Sequence, residues 1–343
     1  MKTEIIKINP QKIELKKIKL AATILKNGGL VAFPTETVYG LGANALSSVS
    51  VKKIFKVKKR PADNPLIVHL ADKKDLHLYA KNIPPVAEKL IEKFWPGPLT
   101  LIFNKSATIP KVTTAGLNCV AIRMPENKIA LTLIKESGFP LAAPSANLST
   151  KTSPTLAKHV IADLNGKIEA IIDGGKTLVG LESTVLDLTV APPMLLRPGK
   201  ITPKQIEKVI GKIEIVNHSS NKDVTKSPGT KYRHYSPETK LLLIEGEEKN
   251  IEKEINKLLV KYKKKKMKTG VLTLNKNRSY PQAELIKFIG STNKQIASNL
   301  FKALRELDEK NLDIIISEGV KDEDLGASIM NRLRKASSKI IKV

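Results

Sequence analysis

Two stretches concentrate the residues that could do chemistry: FPTETVYGLGANA at 33–45 and KKRPADNPLIVH at 58–69. The first puts the hydroxyls of Thr35 and Thr37 among glycines directly after an apolar run. The second sets Lys58, Lys59 and Arg60 against Pro61, Asn64 and Pro65, and a strand-like run then ends at His69. Hydroxyls and stiff turns beside fixed cations suit phosphates and a small polar substrate. Farther on stand Arg123, closing the apolar run Cys119–Arg123, the Pro144-Ser145-Ala146-Asn147 segment, and Glu182-Ser183-Thr184. Glu36 and Glu182 could form a general acid–base couple, although isolated acids are usually solvated. His69 with Ser145 or Ser183 lacks the nucleophile elbow and placed aspartate of a hydrolase. A Walker A sequence and a dinucleotide fingerprint are also missing. Positioning and charge stabilisation remain, which is the chemistry of phosphoryl or nucleotidyl transfer.

The elements that must carry these groups alternate between strand and helix. Ile18, Ala21, Ala22 and Leu25 repeat at helical spacing within 11–27, and Gly28-Gly29 closes that helix. Strand 30–33, loop 34–45 and helix 48–59, with Ser48 as a cap, follow. Strands are expected at 66–70, 99–103, 119–123, 169–173 and around 182–185, and helices at 84–94, 127–137 and 202–210. The spacing predicts an α/β fold whose sheet is mixed rather than fully parallel. Residues 217–239 are poor in aliphatics, and their Tyr232-Arg-His-Tyr235 core reads as a loop that folds over something rather than a passive spacer. A second, smaller α/β unit follows. Its strand ends show no convergent acid, histidine or glycine-rich phosphate signature, so it reads as a helper domain.

Composition narrows the class. The hydrophobic share of 41% supports real cores, and the single cysteine, Cys119, excludes a disulfide framework or a cysteine metal site. The charged N-terminus does not resemble a signal peptide and no run suits a bilayer, so a cytoplasmic protein with no membrane association is expected. The net charge of +26 invites RNA contact, but aromatics are only 4% of residues and do not interleave with the lysines. A double-stranded RNA-binding protein without chemistry is the rival reading. A carbamoyl or acyl transferase acting on another amino acid is a second.

Motifs in register then point to one family. PTETVYGLG at 34–42, KxRPxxNP at 58–65, VHL at 68–70, WPGPLT at 95–100 and AIRMP at 121–125 follow its order. PSANLS at 144–149, STV at 183–185, LRPG at 196–199 and SPGTKYRHYSP at 227–237 complete it. The chain closely resembles the threonylcarbamoyl-AMP synthases in their long form.

That resemblance implies an open, twisted, mixed YrdC-like sheet over 1–212, a linker and lid over 213–239, and a Rossmann-like α/β domain over 240–343. It implies condensation of L-threonine, bicarbonate or CO2, and ATP, with Mg2+ on the phosphates. The products are threonylcarbamoyl-AMP and pyrophosphate, and the former feeds a downstream tRNA threonylcarbamoyl-transfer complex. Carried over residue by residue, Thr37, His69, Arg123, Ala143 and Ser183 are expected to hold threonine. Lys58, Arg60, Asn64, Ser145 and Asn147 are expected around the triphosphate, with Lys58, Arg60, Ser145 and Asn147 as the catalytic set. Cys119, Ser153, Arg197 and Tyr235 are expected along the nucleotide. Two positions depart from the family pattern: Cys119 stands where Thr is common, and Thr230 where Met is usual.

Overall fold

The computed structural model describes residues 1–216, 226 and 235–343. Tyr232, Arg233, His234 and Thr230 lie outside the described residues. The chain divides into two compact units, Met1–Ser149 with Ser153–Tyr232, and Thr150–Thr152 with Arg233–Val343.

The first unit begins with β1 (Glu4–Lys7), α1 (Leu15–Lys26), β2 (Val31–Phe33), β3 (Gly40–Asn44), α2 (Ser48–Lys58) and β4 (Ile67–His69). It continues with α3 (Leu76–Tyr79), β5 (Ala80–Lys81), α4 (Pro85–Phe94), β6 (Leu99–Lys105) and β7 (Cys119–Arg123). Next come α5 (Lys128–Ser137), β8 (Leu141–Ala142), α6 (Ala157–Leu164), β9 (Ala170–Asp173) and β10 (Thr184–Asp187). β11 (Met194–Arg197), α7 (Pro203–Ile210) and β12 (Glu214–Ile215) end it. The sheet runs β1-β9-β2-β3-β8-β4-β7-β6-β10-β11-β12, with β5 beside β6. It is mixed, as the hairpin-length spacings require: β4 and β7 pair parallel, whereas β6 and β7 pair antiparallel.

Alternation along the strands separates core from site. Val68, Leu101, Val120 and Ile122 join one large core with the α2 and α4 residues Val51, Ile54, Ala87 and Leu90. Their neighbours Ile67, Ile102, Cys119, Ala121 and Val185 form a smaller apolar cluster of their own. With a side-chain period of two, Arg123 falls on the face of Cys119 and Ala121, and His69 on that of Ile67. The core side is well filled: Leu90, Leu101 and Ile122 are fully buried, each contributing roughly 1.5–3 kcal/mol by leaving water.

Three local expectations differ from the structure. The expected loop 34–45 contains β3, paired antiparallel with β2 through Val31–Gly42 and Phe33–Gly40. Its glycines read as a turn but serve packing, since a Cβ at Gly42 would lie 2.8 Å from the Phe33 ring. The cap of α2 is Ser47, whose side chain accepts from Ser50 N, one residue before the expected Ser48. β1 and β12 are short edge strands without a clear period, and they were not foreseen.

The second unit contains β13 (Lys240–Glu245), α8 (Glu248–Lys264), β14 (Thr269–Thr273), β15 (Leu285–Phe288) and α9 (Asn293–Asp308). β16 (Ile314–Glu318), α10 (Leu325–Ala336) and β17 (Lys339–Lys342) complete it. All its strand pairs are parallel, in the order β15-β14-β16-β13-β17. Among the described residues, no helix is long and apolar enough to cross a membrane.

Candidate active site

The β2–β3 loop, Pro34–Tyr39, is held by its own hydroxyls. Thr35 Oγ1 donates to Val38 O at 2.6 Å and accepts from Thr37 N at 3.2 Å. Its proton being committed, the 2.7 Å contact with Thr37 has Thr37 Oγ1 as donor. Thr37 Oγ1 is then an acceptor for Arg123 Nη1, which donates to it at 3.0 Å. Val179 N and Gly180 N donate to the carbonyls of Glu36 and Thr37, which fixes the loop from its other side.

Arg123 closes β7 and is itself buried. Its Nε donates to Gly97 O at 3.2 Å, within the turn of WPGP. Its Nη2 stands 2.6 Å from Glu36 Oε2, with both side chains almost wholly inaccessible. The pair is close but not aligned as a hydrogen bond: Nη2 and both Glu36 oxygens lack a directed partner. A buried cation and a buried anion side by side, each with hydrogen-bonding capacity left over, are complementary to a zwitterion. A free α-amino acid supplies a carboxylate for one and an ammonium for the other.

His69 ends β4 and pairs in register with Arg123. Its Nδ1 lies 3.2 Å from Ile67 O, so the neutral ring carries its proton on Nδ1 and presents Nε2 as an acceptor. Burial, and then the charge of Arg123, push its pKa down to about 3. The folded protein therefore resists protonation that the unfolded chain accepts near pH 6.5. Stability from the neutral ring is complete above that pH and is lost as pH falls from 6.5 towards 3, by up to ~1.4 kcal/mol per pH unit. His69→Gln should flatten this dependence. Urea midpoints at pH 7 and pH 5 would test it, and an equal drop in both proteins would refute the assignment.

Ser183 precedes β10, at the sheet end shared with Thr100 of β6. Its Oγ lies 2.7 Å from Thr100 Oγ1 and accepts from Arg197 Nη2 at 3.1 Å, while Arg197 Nε donates to Ser183 O at 3.0 Å. The LRPG turn packs hard on this strand: a Cβ at Gly199 would meet Thr184 N at 2.4 Å. Gly199→Ala is expected to cost ~1–3 kcal/mol by overpacking, seen as a lowered melting temperature. An unchanged melt would contradict this packing.

The phosphate candidates form two neighbouring groups. Lys58, the last residue of α2, is buried, and its ammonium meets Ser145 O, Asn147 O and, at 3.4 Å, Asn147 Oδ1. Ser149 N donates back to Lys58 O at 2.9 Å. In this arrangement Lys58 is the tie of the Pro144–Ser149 loop. That loop is also laced to β3, with Leu41 N donating to Pro144 O and Ala146 N to Tyr39 O, both at 2.8 Å. Arg60 curls onto its own turn, donating to Asn64 O, Asn64 Oδ1 and Pro65 O. This leaves the buried Asn64 Nδ2 as a donor with no partner, which suits a phosphate oxygen.

The remaining expected residues lie as follows. Ala143 N donates to Ile67 O at 3.0 Å, bringing its backbone beside β4. Ser153, fully buried, donates to Glu182 Oε1 at 2.5 Å. Cys119 sits in the small apolar cluster, and burial, with Asp187 nearby, raises its thiol pKa. Its packed neighbours in that cluster are apolar. Tyr235 belongs to the second unit, where its ring stacks on Phe301 at 5.5 Å and Arg332 lies 5.7 Å from its centroid. Thr37, Glu36, Arg123 and Gly97 are thus joined by direct contacts, as are Ser183 with Arg197 and Lys58 with Ser145 and Asn147. Sequence reasoning missed Glu36 as the partner of Arg123, having weighed it only with Glu182. Glu182 bonds instead to Ser153. The available signal was the position of Glu36 beside Thr37 in PTETVYG.

Residues 201–338 match the family described as threonylcarbamoyl-AMP synthase, C-terminal domain, and residues 23–199 match that described as telomere recombination. The threonylcarbamoyl-AMP synthase of Pyrococcus abyssi is 52% identical over 336 residues, 97% of this chain and 98% of that one. The chain belongs to the threonylcarbamoyl-AMP synthase family. The Bacillus subtilis family member is 48% identical, over 94% of this chain and 93% of its own. A crystal structure of P. abyssi Sua5 complexed with L-threonine superposes with a TM-score of 0.95 at 52% identity, covering 99% of this chain and 100% of that one. Escherichia coli YciO, at 24% identity and a TM-score of 0.53, shares the fold of the first unit across 57% of this chain. The rival reading as an RNA-binding protein without chemistry gives way to an enzyme, because nearly the full length is shared with named synthases.

Proposed function

We propose that this chain condenses L-threonine, bicarbonate or CO2, and ATP into threonylcarbamoyl-AMP, releasing pyrophosphate. The observation that carries the reading is the buried Glu36–Arg123 pair with Thr37 and neutral His69 beside it. The amino acid's carboxylate goes to Arg123 and its nitrogen to the Glu36 and His69 Nε2 side. Both accept hydrogen bonds from the ammonium, which must lose a proton before its lone pair can attack CO2; from bicarbonate the same carbamate forms with loss of water. Ser183, held by Thr100 and Arg197, offers a hydroxyl at the same sheet end for the threonine side chain.

A carbamate oxygen then attacks the α-phosphorus in line, the new P–O bond forming as the bond to the pyrophosphate breaks. Arg60, Asn64 Nδ2 and the Lys58-tied loop with Ser145 and Asn147 bind and orient the phosphates, and the Cys119 cluster walls the nucleotide. Mg2+ would come with the ATP substrate, held by its phosphates and neutralising part of their charge beside Lys58 and Arg60. The product passes to a tRNA threonylcarbamoyl-transfer complex, and the excess of lysine offers a surface for RNA contact.

The test is pyrophosphate release from ATP, Mg2+ and bicarbonate with each amino acid in turn, product mass being read in parallel. Release that depends on threonine and bicarbonate, with threonylcarbamoyl-AMP formed, is expected. Release indifferent to the amino acid would reject the proposal.

A further inference from the structure

The second unit has a cavity of about 790 Å³ at the carboxyl ends of its strands. Its place follows from the strand order β15-β14-β16-β13-β17. From β14 the chain moves outward to its neighbour β15, whereas from adjacent β16 it crosses in the opposite direction, past β13, to β17. Loops leaving two adjacent parallel strands in opposite directions open a crevice, and in doubly wound sheets that crevice is where ligands bind. The cavity is lined there by the β14 loop, Leu274–Arg278, and by Glu318–Lys321 after β16. The sequence reading found no convergent signature at these strand ends. It missed one because Glu318 and its partner Arg278 are 40 residues apart.

The crevice is built rather than incidental. Glu318 is fully buried at the end of β16 and takes four donors: Thr273 Oγ1 at 2.8 Å, Leu274 N at 3.0 Å, Arg278 Nη1 at 2.7 Å and Tyr280 Oη at 2.6 Å. Arg278 is further held by Glu248 at 3.2 Å. One carboxylate thus fixes the whole loop that carries Asn275, Lys276 and Asn277. Above it, Lys276 and Lys321 line the cavity, and their ammonium groups make no ion pair among the described residues. Asn293, the first residue of the 16-residue helix α9, also lines it. The N–H of a first helical residue has no intrahelical acceptor and favours an anion. Two uncommitted cations and a helix N-terminus face the same space as a wall of Ile251, Leu274 and Ile296.

We propose that this crevice binds a nucleoside phosphate, with the phosphates between Lys276, Lys321 and the α9 N-terminus and the base against the Ile251–Ile296 wall. The volume suits a ligand of that size. The inference is independent of the chemistry assigned to the first unit, because every lining residue lies in the second.

Hydrogen exchange of the full chain with ADP tests it, since peptides separate this crevice from the first unit's site. ADP is expected to protect 274–278 and 319–321, and Lys276→Glu/Lys321→Glu to weaken that protection about tenfold or more in ADP concentration. Exchange in 34–45 and 143–149, the melting temperature and threonine-dependent pyrophosphate release should stay as in the parent protein. Inorganic pyrophosphate should protect the crevice about tenfold less well than ADP. Unprotected crevice loops at millimolar ADP, or protection unchanged in the double variant, would overturn the site. Equal protection by pyrophosphate would overturn its nucleoside specificity.

Discussion

Arg123→Ala is expected to reduce kcat/KM for threonine by about 30- to 5,000-fold, because removing one member of a buried, charged contact costs ~2–5 kcal/mol. The same change leaves the Glu36 carboxylate buried without its cation, a loss of ~3–5 kcal/mol in folding stability. These two effects are separable. Glu36→Gln added to Arg123→Ala removes the stranded charge, so the double variant should melt nearer the parent temperature while remaining inactive. Arg123→Lys keeps a charge but loses the planar fork that spans Gly97 O, Thr37 Oγ1 and Glu36. It should bind threonine poorly as well. A double variant that recovers both stability and activity would show that Arg123 is structural only.

Lys58→Met should cost nearly as much by a different route. Its ammonium meets two main-chain carbonyls and one side-chain oxygen of the Pro144–Ser149 loop. Methionine fills similar space but donates nothing, and each buried acceptor left unpaired costs ~1–3 kcal/mol. The loop would loosen around Ala143, Ser145 and Asn147, with pyrophosphate release falling about 100-fold or more. Faster amide exchange across 144–149, unaccompanied by change in the α1 or α5 amides, is the mark of this mechanism. Lost activity with unaltered exchange would instead place the lysine's role at the phosphates alone.

The legible parts of this molecule were those written in local pattern. Ile18, Ala21, Ala22 and Leu25 announce α1, and the strands bearing His69 and Arg123 are short apolar runs ending in a polar residue. β3 was illegible because Gly40 and Gly42 signal a turn, and only the Phe33 ring across the hairpin explains them. The site shows the same division. Thr37 and Arg123 were identifiable by type and context, yet Arg123 meets Thr37 across 86 positions of sequence. No spacing rule reveals that Glu36, rather than solvent, faces the same guanidinium. Lys58 illustrates a subtler limit: a lysine in a cation cluster reads as a phosphate ligand, whereas its folded neighbours are carbonyl oxygens. The Glu318 network was hidden for a simpler reason, since its partners lie at the end of β14 and in the loop after it, about 40 residues before Glu318 in the chain.

The most direct measurement is a calorimetric titration of the full chain with L-threonine and two analogues. L-Threoninol lacks the carboxylate, and 2,3-dihydroxybutyrate replaces the amine with a hydroxyl. If the Glu36–Arg123 pair receives the zwitterion, L-threonine binds, and each analogue is weakened about 100-fold, roughly 2.7 kcal/mol. Threoninol binding as tightly as threonine would contradict the carboxylate clamp and, with it, the account of how this site selects its substrate.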